Sequence, residues 1–318
     1  MQMETILARN IEAAEGKAAY DHAVKRLLAN KVILAWIMKS CIAEYRNIPV
    51  NDIANRFIEG TPEVAETAVH PDMAVQTEQI QGSFTEDSSI NEKTVTYDVR
   101  FFALAPAMDE LVTLIINIEA QNDFYPGYPL IKRALYYCSR MISSQFGRNF
   151  SEASYGEIKK VYSIWICPNP PEGRKNTITR YSIAEENVVG SVREKVNNYD
   201  LLTAIMICLG EPEGERYDGI LKLLEVLLSN EKKAEEKKRI LMDDFDIPMT
   251  EELESEVVTV CNLSEGVERR GEMRGERRST LNHIQNLMDT LKLTAEQAMN
   301  ALKIPASEQE GYMKMLKN

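Results

Sequence analysis

The first strongly patterned stretch of the chain predicts a helix. Between Tyr20 and Tyr45 apolar residues recur at steps of three and four, which is the spacing of one buried helix face. A second, short helix is predicted over "PVNDIANRFI", where Asn51 or Asp52 is the expected N-cap. A loop-rich stretch follows, and within it we expect an edge strand around Glu66 to Val69.

Two strands are predicted next, on either side of the turn "APAMDE". In "KTVTYDVRFFAL" polar and apolar residues alternate, which puts Asp98 on the polar face together with Arg100. In "LVTLIINIEAQ" the same period gives a polar face made of Asn117, Glu119 and Gln121. The pattern then predicts a helix over "YPLIKRALYYCSRMISSQF", a core strand over "KKVYSIWICP" and a further strand over "NTITRYSI".

From Glu185 onward the pattern predicts helices almost throughout, including "YDLLTAIMICLG" and "YDGILKLLEVLLSNEKKAEEKKRILMDDF". The charged stretch "GVERRGEMRGERRSTLNHI" fits either a solvated helix or a linker. The last patterned stretch, "TLNHIQNLMDTLKLTAEQAMNALKI", predicts a helix pair with a break before Thr294, the expected cap of the second helix.

Composition indicates an ordinary soluble globular protein. The 318 residues are 44% hydrophobic and 27% charged, and no apolar run reaches the length of a membrane span. The five cysteines show no paired spacing, so neither a zinc motif nor a disulfide framework is predicted. We expect no secretory leader and no membrane partner, and a cytoplasmic location.

The net charge of −12 argues against nucleic-acid binding by bulk charge, but the charge is unevenly distributed. Residues 17–180 carry 18 basic and 19 acidic side chains, and residues 131–180 carry 9 basic and 3 acidic ones. Most of the surplus acid is therefore C-terminal, which leaves a basic stretch in the middle of the chain.

Asp98 and Glu119 are the candidate reactive groups, because each is a carboxylate in an otherwise apolar strand. If the two strands pair in register, both acids point to the same side of the sheet, where neighbouring strands lie about 4.8 Å apart. Two such carboxylates repel each other and are stabilised by a hard cation such as Mg²⁺. The alternative is that they are strand-end charges that face solvent or pair with Arg100 or Lys93.

An acid in one strand, followed by E-x-Q in the next and flanked by helices, resembles the PD-(D/E)XK nucleases. In particular it resembles the branch of PD-(D/E)XK family transposases that are related to recombination-promoting nucleases. The resemblance covers about residues 20–183. It is carried by "YDHAVKRLLANKVILAWIMKS", "TVTYDVRFFA", "LIINIEAQNDFYPGYPLIKRALYYCSRMISSQ", "KKVYSIWICPNPP" and "NTITRYSI".

The resemblance implies an α/β fold with a restriction-endonuclease-like core in α-β-β-β-α-β order, a mixed sheet flanked by helices and a helical C-terminal extension. It divides the chain into a tail (1–16), a nuclease-like domain (17–183), a helical extension (184–266) and a C-terminal helical segment (267–318). The implied activity is Mg²⁺-dependent hydrolysis of DNA, with Mn²⁺ as a substitute. The second interpretation is a catalytically weak or inactive DNA-binding or assembly protein that retains this fold.

The resemblance also assigns roles to residues. Asp98, Glu119 and the backbone carbonyl of Ala120 would hold the metal, and Gln121 would position water from the place where many members have lysine. Asp21 either completes the metal site or is an N-cap. Glu44, later in the predicted helix, is the weaker rival and is more typical of a solvated charge.

Candidate DNA contacts follow the acids along the chain. Lys132, Arg133 and Arg140 have a spacing that allows one helical stripe, which would either meet phosphates or form a solvated face. Lys25 is a further candidate, because it forms a D-x-x-x-K pattern with Asp21. The expected partners are DNA and a second copy of the chain, bound through the helical C-terminal part.

Overall fold

The computed structural model describes residues 6–64, 86–89, 92–106, 111–121, 123–151, 153–212 and 216–316. The chain divides into two compact units, Ala18–Asn262 and a second unit formed by Met1–Lys17 with Leu263–Asn318. The edge strand predicted at 66–69 and the turn residues 107–110 lie outside the described residues.

Eight strands form a six-stranded mixed sheet and a two-stranded ribbon in the described part of the chain. They are β1 (Glu63–Val64), β2 (Glu86–Ser89), β3 (Glu92–Thr96), β4 (Val99–Pro106), β5 (Leu111–Ala120), β6 (Val161–Cys167), β7 (Thr177–Ser182) and β8 (Leu202–Cys208). The large sheet has the order β1-β4-β5-β6-β8-β7, and β2 pairs with β3. Pairing is antiparallel for β1–β4, β4–β5 and β7–β8, and parallel for β5–β6 and β6–β8.

The helices are α1 (Ile6–Leu28), α2 (Lys31–Cys41), α3 (Val50–Asp52), α4 (Leu130–Ser143), α5 (Gly219–Leu228), α6 (Ala234–Phe245), α7 (Glu251–Leu291), α8 (Ala295–Ala301) and α9 (Ala306–Leu316). A π-helical turn over Ile53–Phe57 continues α3. None of the helices in the described residues is long and apolar enough to cross a membrane.

The predicted N-terminal helices are right in place but wrong in detail. The single helix expected from Tyr20 to Tyr45 is interrupted, because Asn30 caps α2 by accepting the Val32 N–H at 3.0 Å. Pro49, rather than Asn51 or Asp52, occupies the N-cap position of α3. Proline suits the start of a helix because its missing N–H would have no partner there.

The predicted strand "KTVTYDVRFFAL" is also interrupted. It forms the end of ribbon strand β3 and then, after a break at residues 97–98, the large-sheet strand β4. The first two residues of the predicted "APAMDE" turn belong to β4, where Pro106 pairs with Leu111.

The helix predicted over "YDLLTAIMICLG" is wrong, because this stretch forms strand β8. Residues 203–208 are all buried between β6 and β7, so both faces of the strand are apolar. A short, continuous apolar run of this kind fits a strand that is buried on both faces as well as it fits a helix. Periodicity alone does not distinguish the two.

The prediction of helices almost throughout from Glu185 onward holds only in part, since residues 185–195 contain no helix and "YDGILKLLEVLLSNEKKAEEKKRILMDDF" forms two helices, α5 and α6. The "GVERRGEMRGERRSTLNHI" stretch is helical within α7, and Thr294 caps α8 in a reciprocal arrangement with Gln297. The described part of this unit has its own small core of Ile284, Ala298, Met299, Ile304 and Tyr312.

Helix α4 provides the crossover between parallel strands β5 and β6 and packs on one face of the sheet. That face buries Trp165 of β6 and Met206 of β8 against Tyr137 and Cys138 of α4. Because Ile115 of β5 belongs to the same cluster, the period of two places Glu119 on the α4 face as well. Glu119 thus lies at the carboxyl end of the parallel strands, under α4.

Candidate functional site

Asp98 and Glu119 meet at the end of the β4–β5 pair through reciprocal hydrogen bonds. The Asp98 N–H donates to Glu119 Oε1 at 3.1 Å, and the Ala120 N–H donates to Asp98 Oδ2 at 3.1 Å. The pairing of Val99 with Ile118 is the last register pair before this point. Asp98 therefore lies just outside β4, although the pattern predicted it within the strand. Its carboxylate accepts from the Ala120 N–H, in the place of a backbone carbonyl of a paired strand.

Lys25 of α1 completes the cluster from a distant part of the sequence. Its Nζ lies 2.9 Å from Asp98 Oδ1 and 2.8 Å from Asp21 Oδ2, and only 6% of its side chain is exposed. Asp98 is thus ion-paired with Lys25, a partner that the strand pattern did not indicate. Asp21 lies inside α1, which begins at Ile6, so the N-cap interpretation of Asp21 is wrong.

The electrostatics of the cluster reflect burial and crowding of negative charge. Burial, followed by the charge of Asp98, raises the pKa of Glu119 well above its usual value. Burial also raises the pKa of Asp98, although Lys25 opposes that shift. For Lys25 burial lowers the pKa, but Asp98 and Asp21 together outweigh burial and raise it. The cluster therefore favours gaining a proton or another cation.

Arg133 of α4 lies on the Glu119 side of the cluster. Its guanidinium donates to the Tyr137 hydroxyl at 2.7 and 3.1 Å and stacks over the ring of Trp165, 5.3 Å from the centroid. Burial lowers the pKa of Arg133, but Tyr137 and then Glu119 outweigh burial and raise it. The sequence analysis offered a phosphate contact or a solvated helix face for Arg133, and it did not predict the contact with Tyr137. The arginine-to-tyrosine spacing of four along α4 was the available signal for this contact.

The three basic residues of α4 lie in different environments. Lys132 is exposed to solvent, Arg133 is half-buried, and Arg140 is buried. Lys132 is therefore the one of the three that is most accessible to a phosphate. DNA contact by any of them, or by the buried Lys25, stays a prediction.

Ala120 and Gln121 continue β5 beyond the acids. The backbone N–H and C=O of a strand residue point to the same side, so the Ala120 carbonyl faces the side on which its N–H binds Asp98. A small cleft opens there, lined by Tyr20, Asp21, Val24, Ala120, Pro168 and Leu228. Gln121 is half-buried, and its Nε2 donates to the Asp123 carbonyl at 2.8 Å.

The donor set suits a hard cation by its chemistry, since it consists of two carboxylates and a backbone carbonyl. Within the described ranges, however, no group of three or more His, Cys, Asp or Glu side chains is arranged to hold a metal ion. Any metal here would have Asp98 and Glu119 as its acidic ligands, with carbonyl and solvent oxygens completing the coordination.

Glu44, the weaker rival from the sequence, is neither solvated nor part of this cluster. It lies in a short turn after α2, where both carboxylate oxygens accept from the Tyr162 hydroxyl at 2.8 and 2.9 Å. Lys160 lies between Glu44 and Asp200. These groups gather before the start of β6 and β8, at the amino end of the parallel strands.

Comparison with known proteins adds no further identification. The chain matches no protein-family model, no curated protein and no solved structure. What is established is an α/β protein with a mixed sheet and a buried acidic cluster at the carboxyl end of its parallel strands.

Proposed function

We propose that this chain is a metal-dependent DNA endonuclease of the mobile-element, recombination-promoting type. The observation that carries the proposal is the meeting of the two acids, in which the Asp98 N–H donates to Glu119 and the Ala120 N–H donates to Asp98. Burial raises the pKa of both carboxylates, such groups are costly to a fold, and they concentrate at functional sites. Phosphodiester hydrolysis is a reaction that uses paired acids of this kind to hold a cation.

The order of elements supports the same class. The large unit contains, in chain order, helices α1 to α3, strands β1, β4 and β5, helix α4 and strand β6, with the separate β2–β3 ribbon between β1 and β4. This order is compatible with the α-β-β-β-α-β core of PD-(D/E)XK nucleases, and in that core the acids lie on the second and third strands. The position of Asp98 beside β4 and of Glu119 in β5 agrees with that placement.

In the proposed mechanism Asp98, Glu119 and the Ala120 carbonyl hold Mg²⁺ or Mn²⁺. When bound, the cation supplies positive charge at the scissile phosphate and lowers the pKa of water. Gln121 orients the attacking water through its amide oxygen, because its Nε2 is already engaged by Asp123. Lys25 supplies the positive charge that Gln121 lacks, and Asp21 holds the Lys25 ammonium against Asp98.

The outer contacts of the substrate follow from accessibility. Lys132 is exposed on α4 and is proposed to meet a backbone phosphate beyond the acids. We assign no chemical role to the helical C-terminal unit and propose that it forms a homodimer.

A second candidate function is a catalytically weak or inactive DNA-binding or assembly protein. The observation that favours it is the position of the Lys25 ammonium between Asp21 and Asp98. Lys25 neutralises part of the acidic cluster without any metal, which a protein that does not cleave DNA would also need.

Cleavage of supercoiled plasmid with Mg²⁺ or Mn²⁺ tests the proposal. We expect Asp98→Asn and Glu119→Gln each to lower the nicking rate by about a hundredfold to a thousandfold, the range for losing one key charge-stabilising group. Glu44→Gln, which changes a half-buried acid at the other end of the sheet, is the matched control and should stay within about twofold.

The opposite results are equally informative. Nicking that survives both Asp98→Asn and Glu119→Gln would remove the site assignment. If wild-type protein binds DNA but does not nick it in Mg²⁺ or in Mn²⁺, the second candidate function is correct.

A further inference from the structure

Beside the acidic cluster, the segment that follows β5 forms one wall of an aromatic groove. The groove has a volume of about 310 Å³, and its lining includes Phe124, Tyr125, Tyr128, Arg174, Tyr181 and Met206. Met206 is buried at 3% exposure, whereas Tyr125 and Tyr128 are exposed at 66% and 42%. The groove thus combines a buried apolar residue with two aromatic rings that are open to solvent.

The exposed ring of Tyr125 is held in place by its neighbours. The Asp123 carboxylate accepts the Tyr125 N–H at 2.9 Å, and Phe124 meets the Tyr125 ring edge-on at 5.1 Å between centroids. Gly127 has a φ of 97°, which lets the chain turn back toward α4 without strain. An ordered aromatic ring with this much exposed surface is typical of a contact surface for a ligand.

The groove carries positive charge next to its aromatic rings. The exposed Arg174 guanidinium lies 5.5 Å from the centroid of the Phe124 ring. The groove is therefore suited to an anionic ligand with a flat, apolar part.

The groove adjoins the acidic cluster through a chain of contacts. The Tyr128 hydroxyl accepts from Arg133 Nη1 at 3.4 Å. Arg133 in turn lies close enough to Glu119 for each to shift the pKa of the other. A ligand in the groove would therefore lie one arginine away from the carboxylates.

We infer that this groove binds one unpaired base of a DNA strand, stacked on Tyr125 and Tyr128, with Arg174 at the adjoining phosphate. The inference deepens the proposed function, on which it rests, by naming a substrate with an unpaired base next to the cleaved bond. A volume near the lower end of ligand pockets suits a single nucleoside rather than a duplex. Stacking on aromatic rings beside basic side chains is how proteins bind single strands without reading their sequence.

The test uses full-length protein in EDTA, so that binding is measured without cleavage. The probes are a single-stranded DNA of about 12 nucleotides that contains 2-aminopurine, and the matching blunt duplex. We expect quenching of the 2-aminopurine fluorescence by wild-type protein. Tyr125→Leu should weaken single-strand binding about tenfold and duplex binding less than about twofold. Tyr125→Phe should bind as wild type does, because stacking needs only the ring.

Tyr155→Leu is the matched control, since Tyr155 is 62% exposed but does not line the groove, and it should leave single-strand affinity unchanged. Three outcomes would each overturn the inference. Tyr125→Leu could weaken single-strand and duplex binding equally, it could weaken neither, or Tyr125→Phe could fail to bind the single strand. A groove made for an apolar peptide would give the no-loss result. The binding test measures no cleavage, so its outcome does not depend on the plasmid-nicking result. A failure of this inference can therefore be distinguished from a failure of the proposed nuclease activity.

Discussion

The two ends of the parallel strands carry clusters of charged groups that are compensated to different extents. At the amino end Lys160 lies 2.7 Å from Asp200 and 3.3 Å from Glu44, whose oxygens also accept from Tyr162. At the carboxyl end the Asp98 carboxylate accepts from the Ala120 N–H, the Glu119 carboxylate accepts from the Asp98 N–H, and both acids have a raised pKa. Each end has one lysine between two carboxylates, but the carboxyl end also holds the Glu119 carboxylate and so retains more unneutralised acid.

This difference separates a structural cluster from a candidate functional one. Burial of charge is tolerated where donors surround it, as they do Glu44. Burial of acids that lack enough donors lowers stability, and folds retain such groups mainly where chemistry needs them. In open α/β sheets ligands also bind outside the carboxyl ends of the strands, which is the end where Asp98 and Glu119 lie.

The largest expected effect on stability is that of Lys25→Met. Removing Lys25 leaves Asp98 and Asp21 without their shared cation, and we expect a loss of about 2–3 kcal/mol in the free energy of unfolding. The value is at the low end for a buried pair because Asp21 is 35% exposed. Urea unfolding measures it, and added Mg²⁺ should restore part of the loss.

Two controls sharpen this comparison. Arg26→Met, at the next position of α1, removes a 3.8 Å ion pair with Glu256 from an arginine side chain that is 57% exposed, and it should cost less than about 1 kcal/mol. Lys160→Met, at the amino end, should lose about 2 kcal/mol that Mg²⁺ does not restore. Restoration by Mg²⁺ at both ends, or at neither, would contradict the distinction drawn between them.

A smaller effect with the opposite sign is expected for Glu119→Gln. The pKa of Glu119 in the folded chain is raised above its ordinary 4.5, so above pH 4.5 the folded state binds more protons than the unfolded state. The stability of wild-type protein should therefore fall as the pH rises from 4.5 through the raised pKa. Glu119→Gln removes this dependence and should be about 1 kcal/mol more stable than wild type at pH 7.

Thermal unfolding between pH 4 and pH 8 without metal measures the effect. Glu44→Gln should lose about 1 kcal/mol instead, because its carboxylate is a hydrogen-bond acceptor for Tyr162. If Glu119→Gln proves as destabilising as Glu44→Gln, the two clusters are both structural and the contrast between them is wrong.

The smallest effect expected is that of Lys132→Ala on DNA affinity. Loss of one exposed phosphate contact should weaken binding about twofold to fivefold and reduce the salt slope by about one. Fluorescence anisotropy at several salt concentrations measures both quantities. Arg239→Ala, an exposed basic residue on α6, should change neither, and equal effects of the two changes would indicate bulk charge only.

Much of the central sheet could be predicted from the sequence, because β5 and β7 alternate with a period of two and the short apolar run of β6 ends at Pro168. The sequence pattern did not predict three features: the break at Asn30, the divided strand around Asp98, and strand β8. In each case a local side-chain bond or burial on both faces outweighed the periodic signal.

The sequence by itself determined the candidate acids, because carboxylates are conspicuous at the ends of apolar strands. Only the tertiary structure decided how their charge is compensated, since Lys25 of α1 forms an ion pair with Asp98 and the charge of Arg133 on α4 lowers the pKa of Glu119. The tertiary structure also distinguished Asp21 from Glu44, the two candidates for the additional acid of the metal site. Asp21 lies in the cluster with Lys25 and Asp98, whereas Glu44 lies at the other end of the sheet. Periodicity records which face of an element is buried, whereas charge compensation depends on elements that meet only after the chain has folded.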